Sequence, residues 1–466
     1  MRQFMQKYLI KDITIVNEGT ITQGDVLIQN GRIEKIGSRI EPGTAREIDG
    51  SGKYLLPGAI DDQVHFREPG LTHKANIFTE SRAAVAGGVT SFMEMPNTSP
   101  PAFTQELLEE KYAIASKTSL ANYSFFMGTS NENAGEALKT NQKKLDVCGI
   151  KIFMGSSTGG LLVDNYLTLN KLFAESEVLI ATHCEDERII KKNYQDLKAG
   201  KPVLEASDHP VIRNEEACFE SSFAAIQLAK KHDARLHILH ISTEKELQLF
   251  SNMMPLAQKR ITAEVCVHHL HFTADDYAQL GYAIKCNPAI KAPHNKKALW
   301  EALLDDRLDV IATDHAPHTM EEKGLARDEA GKLFMGSNVE GSYERYHAGL
   351  PLVQHSMLLM LYYVQQGLLS IEKVAEKMSH AVATCFQVSD RGFIREGYWA
   401  DLVMVDMNKP YRVQQNNVLY KCGWSPLEGF NFPATIEKTF VNGNIVYENG
   451  VVSESGIGMR LKFDRH

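Results

Sequence analysis

The sequence predicts an α/β fold: a (β/α)8 TIM-type barrel with a small flanking β-sandwich built from both chain ends. Three observations carry this expectation. Short apolar runs alternate with longer amphipathic stretches through the middle of the chain, Asn-Gly turns join alternating segments near both ends, and chemically capable side chains gather where the apolar runs stop.

The first segment reads as Ile13–Val16, Asp25–Ile28 and Arg32–Ile36, with Asn30-Gly31 between the last two as a hairpin signal. The far end repeats the pattern in Asp401–Val405 and in Lys438–Tyr447, where Asn442-Gly443 marks another hairpin. Residues 1–56 and 385–466 are therefore expected to form one discontinuous β-sandwich domain, and residues 57–384 the barrel. Eight strand candidates lie in that middle part: Ile60–Phe66, Ser91–Met95, Asn122–Met127, Gly149–Met154, Val178–His183, Leu236–Ile241, Thr262–His268 and Leu308–Asp314. Amphipathic stretches such as Ile77–Ala86, Glu106–Ala115, Glu216–Lys231 and Lys296–Leu304 supply helical crossovers. The charged, glycine-containing segment Thr319–Asn338 reads as a long solvated loop after the last strand.

Composition narrows the function classes. With 466 residues, 43% hydrophobic and 23% charged, the chain can bury a large core. A formal net charge of -8 without a basic block argues against nucleic acid or an anionic membrane as partner. Seven cysteines lack CxxC spacing, as expected of reduced thiols in a cytoplasmic protein. The stretch Met1–Ile10 lacks the apolar region of a signal peptide, and no run is long enough to span a bilayer.

The stretch Pro57–Gly70 poses the chemical question. Strict alternation sends Asp61, Gln63, His65 and Arg67 to one side and Asp62, Val64 and Phe66 to the other. Such a polar wall is costly to bury unless hydrogen bonds, salt bridges or a metal satisfy it, and the stretch alone leaves structural and functional accounts open. The barrel places His65, Lys151, His183, His240 and Asp314 together at strand carboxyl ends, where active sites of this fold gather. Imidazole nitrogens and carboxylate oxygens suit zinc or a similar divalent ion. Lys151 has two readings: a salt bridge, or a carbamate formed with carbon dioxide that makes it an anionic ligand. His237 falls on the strand face opposite His240 and is not expected in the same site.

Eight motifs in order carry a resemblance: His65–Gly70, Met95–Thr98, Gly149–Met154, His183–Glu185, His240–Thr243, Glu264 with His268–Leu270, Lys285–Pro288 and Asp314–His318. Together they resemble the dihydroorotase family, in the cyclic amidase branch of the amidohydrolase superfamily, over essentially the whole chain. The resemblance implies a metal-dependent catalytic barrel with one or two Zn2+ ions held by His65, carbamylated Lys151, His183, His240 and Asp314. It implies Asp314 as catalytic base and then acid, with Arg67, Asn97, Asn287 and His318 binding substrate. The implied reaction is the reversible cyclisation of N-carbamoyl-L-aspartate to L-dihydroorotate in de novo pyrimidine (UMP) biosynthesis. Homo-oligomers, by default dimers, and association with aspartate transcarbamoylase also belong to the family. The chain departs from the family pattern at Gln63, where a histidine is usual; an amide oxygen is a poorer zinc ligand than imidazole. Three outcomes follow: a weakened two-metal site, a one-metal enzyme centred on Lys151, His183 and His240, or a catalytically silent partner of a transcarbamoylase. Allantoinases and hydantoinases are the related cyclic amidases, and Arg67 is the residue that separates them from a dihydroorotase.

Overall fold

The computed structural model describes residues 7–155, 160–335, 342–454 and 458–465. Residues 1–6 of the N-terminal stretch and 336–338 of the segment after the eighth predicted strand lie outside the described residues.

The first part of the chain forms strands β1 (Tyr8–Asn17), β2 (Thr20–Gln29), β3 (Arg32–Gly37), β4 (Arg46–Asp49) and β5 (Tyr54–Pro57). Asn30 and Gly31 take φ of 54° and 80° between β2 and β3, the left-handed pair that lets a two-residue turn match the strand twist.

Nine further segments follow: β6 (Ala59–Val64), β7 (Val89–Glu94), β8 (Asn122–Phe125), β9 (Met127–Gly128), β10 (Ile150–Phe153), β11 (Ile180–His183), β12 (Leu236–Ile238), β13 (Ile261–Cys266) and β14 (Val310–Ala312). They pair in parallel in two runs, β6-β7-β8 and β9-β10-β11-β12-β13-β14. Only Phe126 separates β8 from β9, so these are two halves of the third predicted strand. At the other margin Val64 makes a parallel bridge to His315, and the His65 amide donates to His315 O at 2.7 Å.

Helices cross between these strands where amphipathic stretches predict them, including Ile77–Ala86, Gln105–Thr118, Glu215–His232 and Pro293–Leu304. Their starts are chemically set. Asn76 and Thr79 form a reciprocal capping box, and the Asn214 side chain accepts from Ala217 N, each removing an orphan donor worth about 1 kcal/mol. The seventh predicted strand overruns its end, because helix Val267–His271 begins where Thr262–His268 continues.

Two features depart from the sequence reading. In the pairing of β6 with β7 the register slips between Asp61 and Val64, which breaks strict alternation. Asp62 meets the interior residues His237 and Glu264 instead of joining Val64 and Phe66 on the outer face. The segment read as a solvated loop also carries a hairpin of β15 (Leu325–Arg327) and β16 (Leu333–Met335). It is anchored because Lys323 is fully buried and donates to Lys285 O and His347 O, both at 2.9 Å.

The remaining strands are β17 (Leu402–Asp406), β18 (Tyr411–Arg412), β19 (Asn431–Phe432), β20 (Thr435–Val441), β21 (Asn444–Glu448) and β22 (Val451–Val452). Strands from the two ends of the chain share one sheet in the order β22-β21-β20-β17-β5-β1-β2-β3, with β4 beside β1. Ile10, Ile13, Val26, Ile28, Leu402 and Phe440 form its buried core. A polar knot joins this sheet to the parallel strands. Buried Asp401 pairs with Arg391, accepts from Asn442 N at 2.8 Å, and accepts from Asn122 Nδ2 at 3.1 Å.

Candidate active site

A cavity of about 370 Å³ opens at the carboxyl ends of the parallel strands. Its walls include Gln63, His65, Arg67, Asn97, His183, His240, Asn287, Asp314 and His318. Lys151, on β10, lies fully buried, with its amine 4.5 Å from the Phe153 ring centroid; Phe153 lines the same cavity. Three of the residues hold left-handed backbone, with φ of 69° at Arg67, 40° at His240 and 47° at Asp314. L residues with side chains adopt this conformation at a cost, and such strain concentrates where side chains must be aimed.

Two of the histidines are oriented by neighbouring side chains. His183 Nε2 lies 2.9 Å from Glu185 Oε2, and Glu185 is itself paired with Arg213. Donating that proton outward leaves His183 Nδ1 bare toward His240 Nε2, 2.9 Å away. His240 Nδ1 has no hydrogen-bond partner. His65 Nδ1 lies 2.7 Å from Asn97 Oδ1, so its other nitrogen presents a lone pair to Asp314 Oδ1 at 3.0 Å. A proton or a cation must lie between those two acceptors.

Burial favours the neutral forms. It lowers the basicity of His65 and His183 and takes His240 well below the usual histidine range. Lys151 is pushed down to about 7, with burial outweighing the opposing carboxylates of Glu264 and Asp314. Its amine has no hydrogen-bond partner. Burial raises Glu185, but Arg213 and His183 overcome it and hold the carboxyl at about 2. A half-neutral amine beneath the cavity, with bare imidazole nitrogens and a carboxylate on its wall, forms a donor set that fits a divalent cation.

Gln63 reaches the cavity with its amide nitrogen 3.1 Å from Asp314 Oδ1 and its oxygen 3.9 Å from Cys266 Sγ. The N–H donates to Asp314, so this side chain positions the carboxylate. Asp61 supports the same turn from below, accepting from Thr313 Oγ1 at 2.6 Å.

A cationic corner lies beside this group. Arg67 donates from Nε to Pro317 O at 3.2 Å and from Nη2 to His318 Nε2 at 3.1 Å. Lys74 Nζ is 3.0 Å from Glu322 Oε1 and 3.1 Å from His318 Nδ1. His318 is held well below its ordinary basicity by burial and by Arg67 and Lys74, and it stacks on His347 at 4.8 Å. Asn287 places Oδ1 3.0 Å from His209 Nε2.

All the sequence-predicted site residues thus come together, Lys151 from beneath and the others at the cavity wall. Sequence reasoning missed the roles of Lys74, Glu185, His209, Arg213, Glu322 and His347. Glu185 stands in the His183–Glu185 motif and was within reach; Glu322 was hidden in the stretch read as solvated loop. His237 does not line the cavity and contacts Asp62 and Glu264 in the interior.

The arrangement defines a class: a hydrolytic site in which buried histidines, a lysine and a carboxylate converge at parallel strand ends beside a cationic anchor. Residues 54–446 match the Amidohydrolase family, and the chain belongs to that family. It is similar to the dihydroorotase of Pyrococcus abyssi, 32% identical over 95% of this chain and 96% of that one. The dihydroorotase of Methanosarcina acetivorans is also 32% identical, covering 97% of this chain and 95% of its own. Among solved structures, the L-hydantoinase (dihydropyrimidinase) of Arthrobacter aurescens superposes with a TM-score of 0.87 at 26% identity, covering 98% of this chain and 100% of its own. No helix of the described residues is long and apolar enough to cross a membrane.

Proposed function

We propose that this protein is a dihydroorotase, which interconverts N-carbamoyl-L-aspartate and L-dihydroorotate in pyrimidine synthesis. The observation that carries the reading is the Arg67–His318–Lys74 corner opening into the same cavity as His65, His183, His240 and Asp314, with Lys151 buried beneath. A cyclic amide bearing a carboxylate needs both. We further take the parallel strands to be a closed (β/α)8 barrel of residues 57–384, and residues 1–56 with 385–466 to be a β-sandwich domain of a cytoplasmic enzyme.

His65, Lys151, His183, His240 and Asp314 would hold zinc, and the hydrogen bonds of His65 to Asn97 and of His183 to Glu185 support this because they leave bare nitrogens facing Asp314 and His240. When bound, the ion supplies Lewis acidity to the amide carbonyl and acidifies the attacking water. A half-neutral Lys151 amine near pH 7 can add to carbon dioxide, forming one N–C bond and losing one proton to become an anionic carbamate. Gln63 turns an N–H toward Asp314, which favours a single catalytic ion on the Lys151, His183 and His240 side. Asp314 takes the proton released as the ring carbonyl is attacked and returns it to the departing nitrogen. Arg67 grips the substrate carboxylate with two parallel N–H donors, His318 and Asn97 set its orientation, and Asn287 contacts the ring.

Steady-state assay of the zinc- and bicarbonate-supplied protein tests the reading. Turnover of dihydroorotate far above that of hydantoin and allantoin is expected. The L-hydantoinase likeness makes a related cyclic amidase the second reading, and preference for hydantoin would establish it. Absence of turnover with all three would leave a silent partner of a transcarbamoylase.

A further inference from the structure

Asn287 stands in the cavity wall with one end of its amide held and the other free. Among the described residues its Oδ1 has one partner, His209 Nε2 at 3.0 Å, and its Nδ2 has none. His209 is buried at the start of the short helix His209–Ile212. Its Nε2 also lies 2.8 Å from Cys286 O, and its Nδ1 lies 2.9 Å from the hydroxyl of Tyr343. Tyr343 comes from helix Ser342–Arg345, in the segment that follows the last parallel strand. Neither His209 nor Tyr343 lines the cavity.

The hydrogen bonds of this group leave one arrangement of protons. A backbone carbonyl only accepts, so Cys286 O requires the proton on His209 Nε2. Burial, with the cations of Lys285 and Arg213, holds the imidazole well below its ordinary basicity and therefore neutral. Nδ1 then carries a lone pair and accepts from the Tyr343 O–H. The Nε2 proton also fixes the neighbouring amide, because only the oxygen of Asn287 can face it. The reversed amide would set N–H against N–H and strand a donor. Both N–H groups of Asn287 are thus left to the cavity. Lys285 holds Tyr343 in place, donating to Tyr343 O at 2.6 Å and to Tyr346 O at 2.8 Å.

We propose that His209, itself oriented by Tyr343, is a positioning residue that turns Asn287 into an N–H donor for a carbonyl oxygen of the substrate ring. The inference rests on the cyclic-amide reading of the cavity and deepens it. A donor at this wall accepts a ring carbonyl and disfavours a ring N–H, so the way round in which the ring is seated is set by two residues outside the cavity.

A double-mutant cycle on the full-length protein tests this, with His209→Leu, Asn287→Ala and the two combined, read as kcat/KM on whichever cyclic amide the wild type turns over best. His209→Leu alone should lower kcat/KM about tenfold, the loss of one oriented hydrogen bond. In the Asn287→Ala background the same change should cost less than about twofold, because its effect passes through the missing amide. His209→Gln, which keeps an N–H donor, should recover most of the loss. Equal losses in both backgrounds, or no loss from His209→Leu, would overturn the inference while leaving the cyclic-amide reading intact. A wild type inactive on every ring would overturn both. Neutron diffraction from wild-type crystals gives a readout that needs neither turnover nor a folded variant: a deuteron is expected on His209 Nε2, with the Asn287 oxygen toward it. A deuteron on Nδ1 alone, or the Asn287 nitrogen toward the imidazole, would sink the proposal.

Discussion

Replacing Lys151 with methionine should abolish activity and make the metal-free protein more stable. The amine is fully buried without a hydrogen-bond partner, and its basicity is pushed from 10.5 down to about 7. At about 1.4 kcal/mol per pKa unit, holding the charged amine in the fold costs about 5 kcal/mol when it is fully protonated. At pH 7, where it is half neutral, the cost is about 4 kcal/mol. The sign follows from proton counting. Between pH 7 and 10.5 the unfolded chain binds more protons at this lysine than the folded one, so wild-type stability rises with pH across that window. Methionine has similar length and no charge, so Lys151→Met should gain several kcal/mol at pH 6 and 7, and the gain should shrink toward pH 10. Urea unfolding followed by tryptophan fluorescence, in chelator and carbon-dioxide-free buffer, measures it. A Lys151→Met protein no more stable than wild type at pH 6, or a gain that does not shrink with rising pH, would refute the reasoning.

Arg67→Ala should cut kcat/KM for dihydroorotate about a hundredfold, mostly through KM, since one charge-assisted pair contributes roughly 3 kcal/mol; an unchanged KM would remove Arg67 from the carboxylate site. Asp314→Asn should lower kcat by about a hundred- to ten-thousand-fold, measured by spectrophotometric turnover with zinc content checked in parallel. Chelation should remove activity, and zinc with bicarbonate should restore it; full activity in metal-free protein would contradict the donor-set argument. Asp401→Ala strands the buried Arg391 guanidinium and should destabilise the fold by about 3–5 kcal/mol in urea titration, without requiring any change in the cavity.

Much of this was legible in the chain because it depends on local patterns. Helix Ile77–Ala86 appears with its predicted bounds, and Asn30-Gly31 and Asn442-Gly443 both adopt the left-handed turn their types favour. The site residues were legible because strand ends are marked by the switch from apolar to polar residues, as at His183 and Asp314. Long-range pairings were not. Lys74 meets Glu322 and Arg213 meets Glu185 only after folding, and nothing in the spacing of these residues pairs them. Asp62 was misplaced because a register slip in β6 breaks the period of two, and such a slip depends on how the neighbouring strand packs. The segment after Asp314 looked solvated by composition, yet Lys323 is buried because backbone carbonyls supply its partners.

The sheet shared by the chain ends bears on how the molecule is made. β5, ending at Pro57, pairs with β17, which begins at Leu402. A ribosome adds about 5–20 residues per second, so roughly 20–70 seconds separate the emergence of these two edges. Throughout that interval β5 presents unpaired amides to solvent, with no native partner on that flank. The edge of β5 is therefore completed only once Leu402–Asp406 has been made, and a chain truncated before Leu402 keeps it open to pairing with other chains.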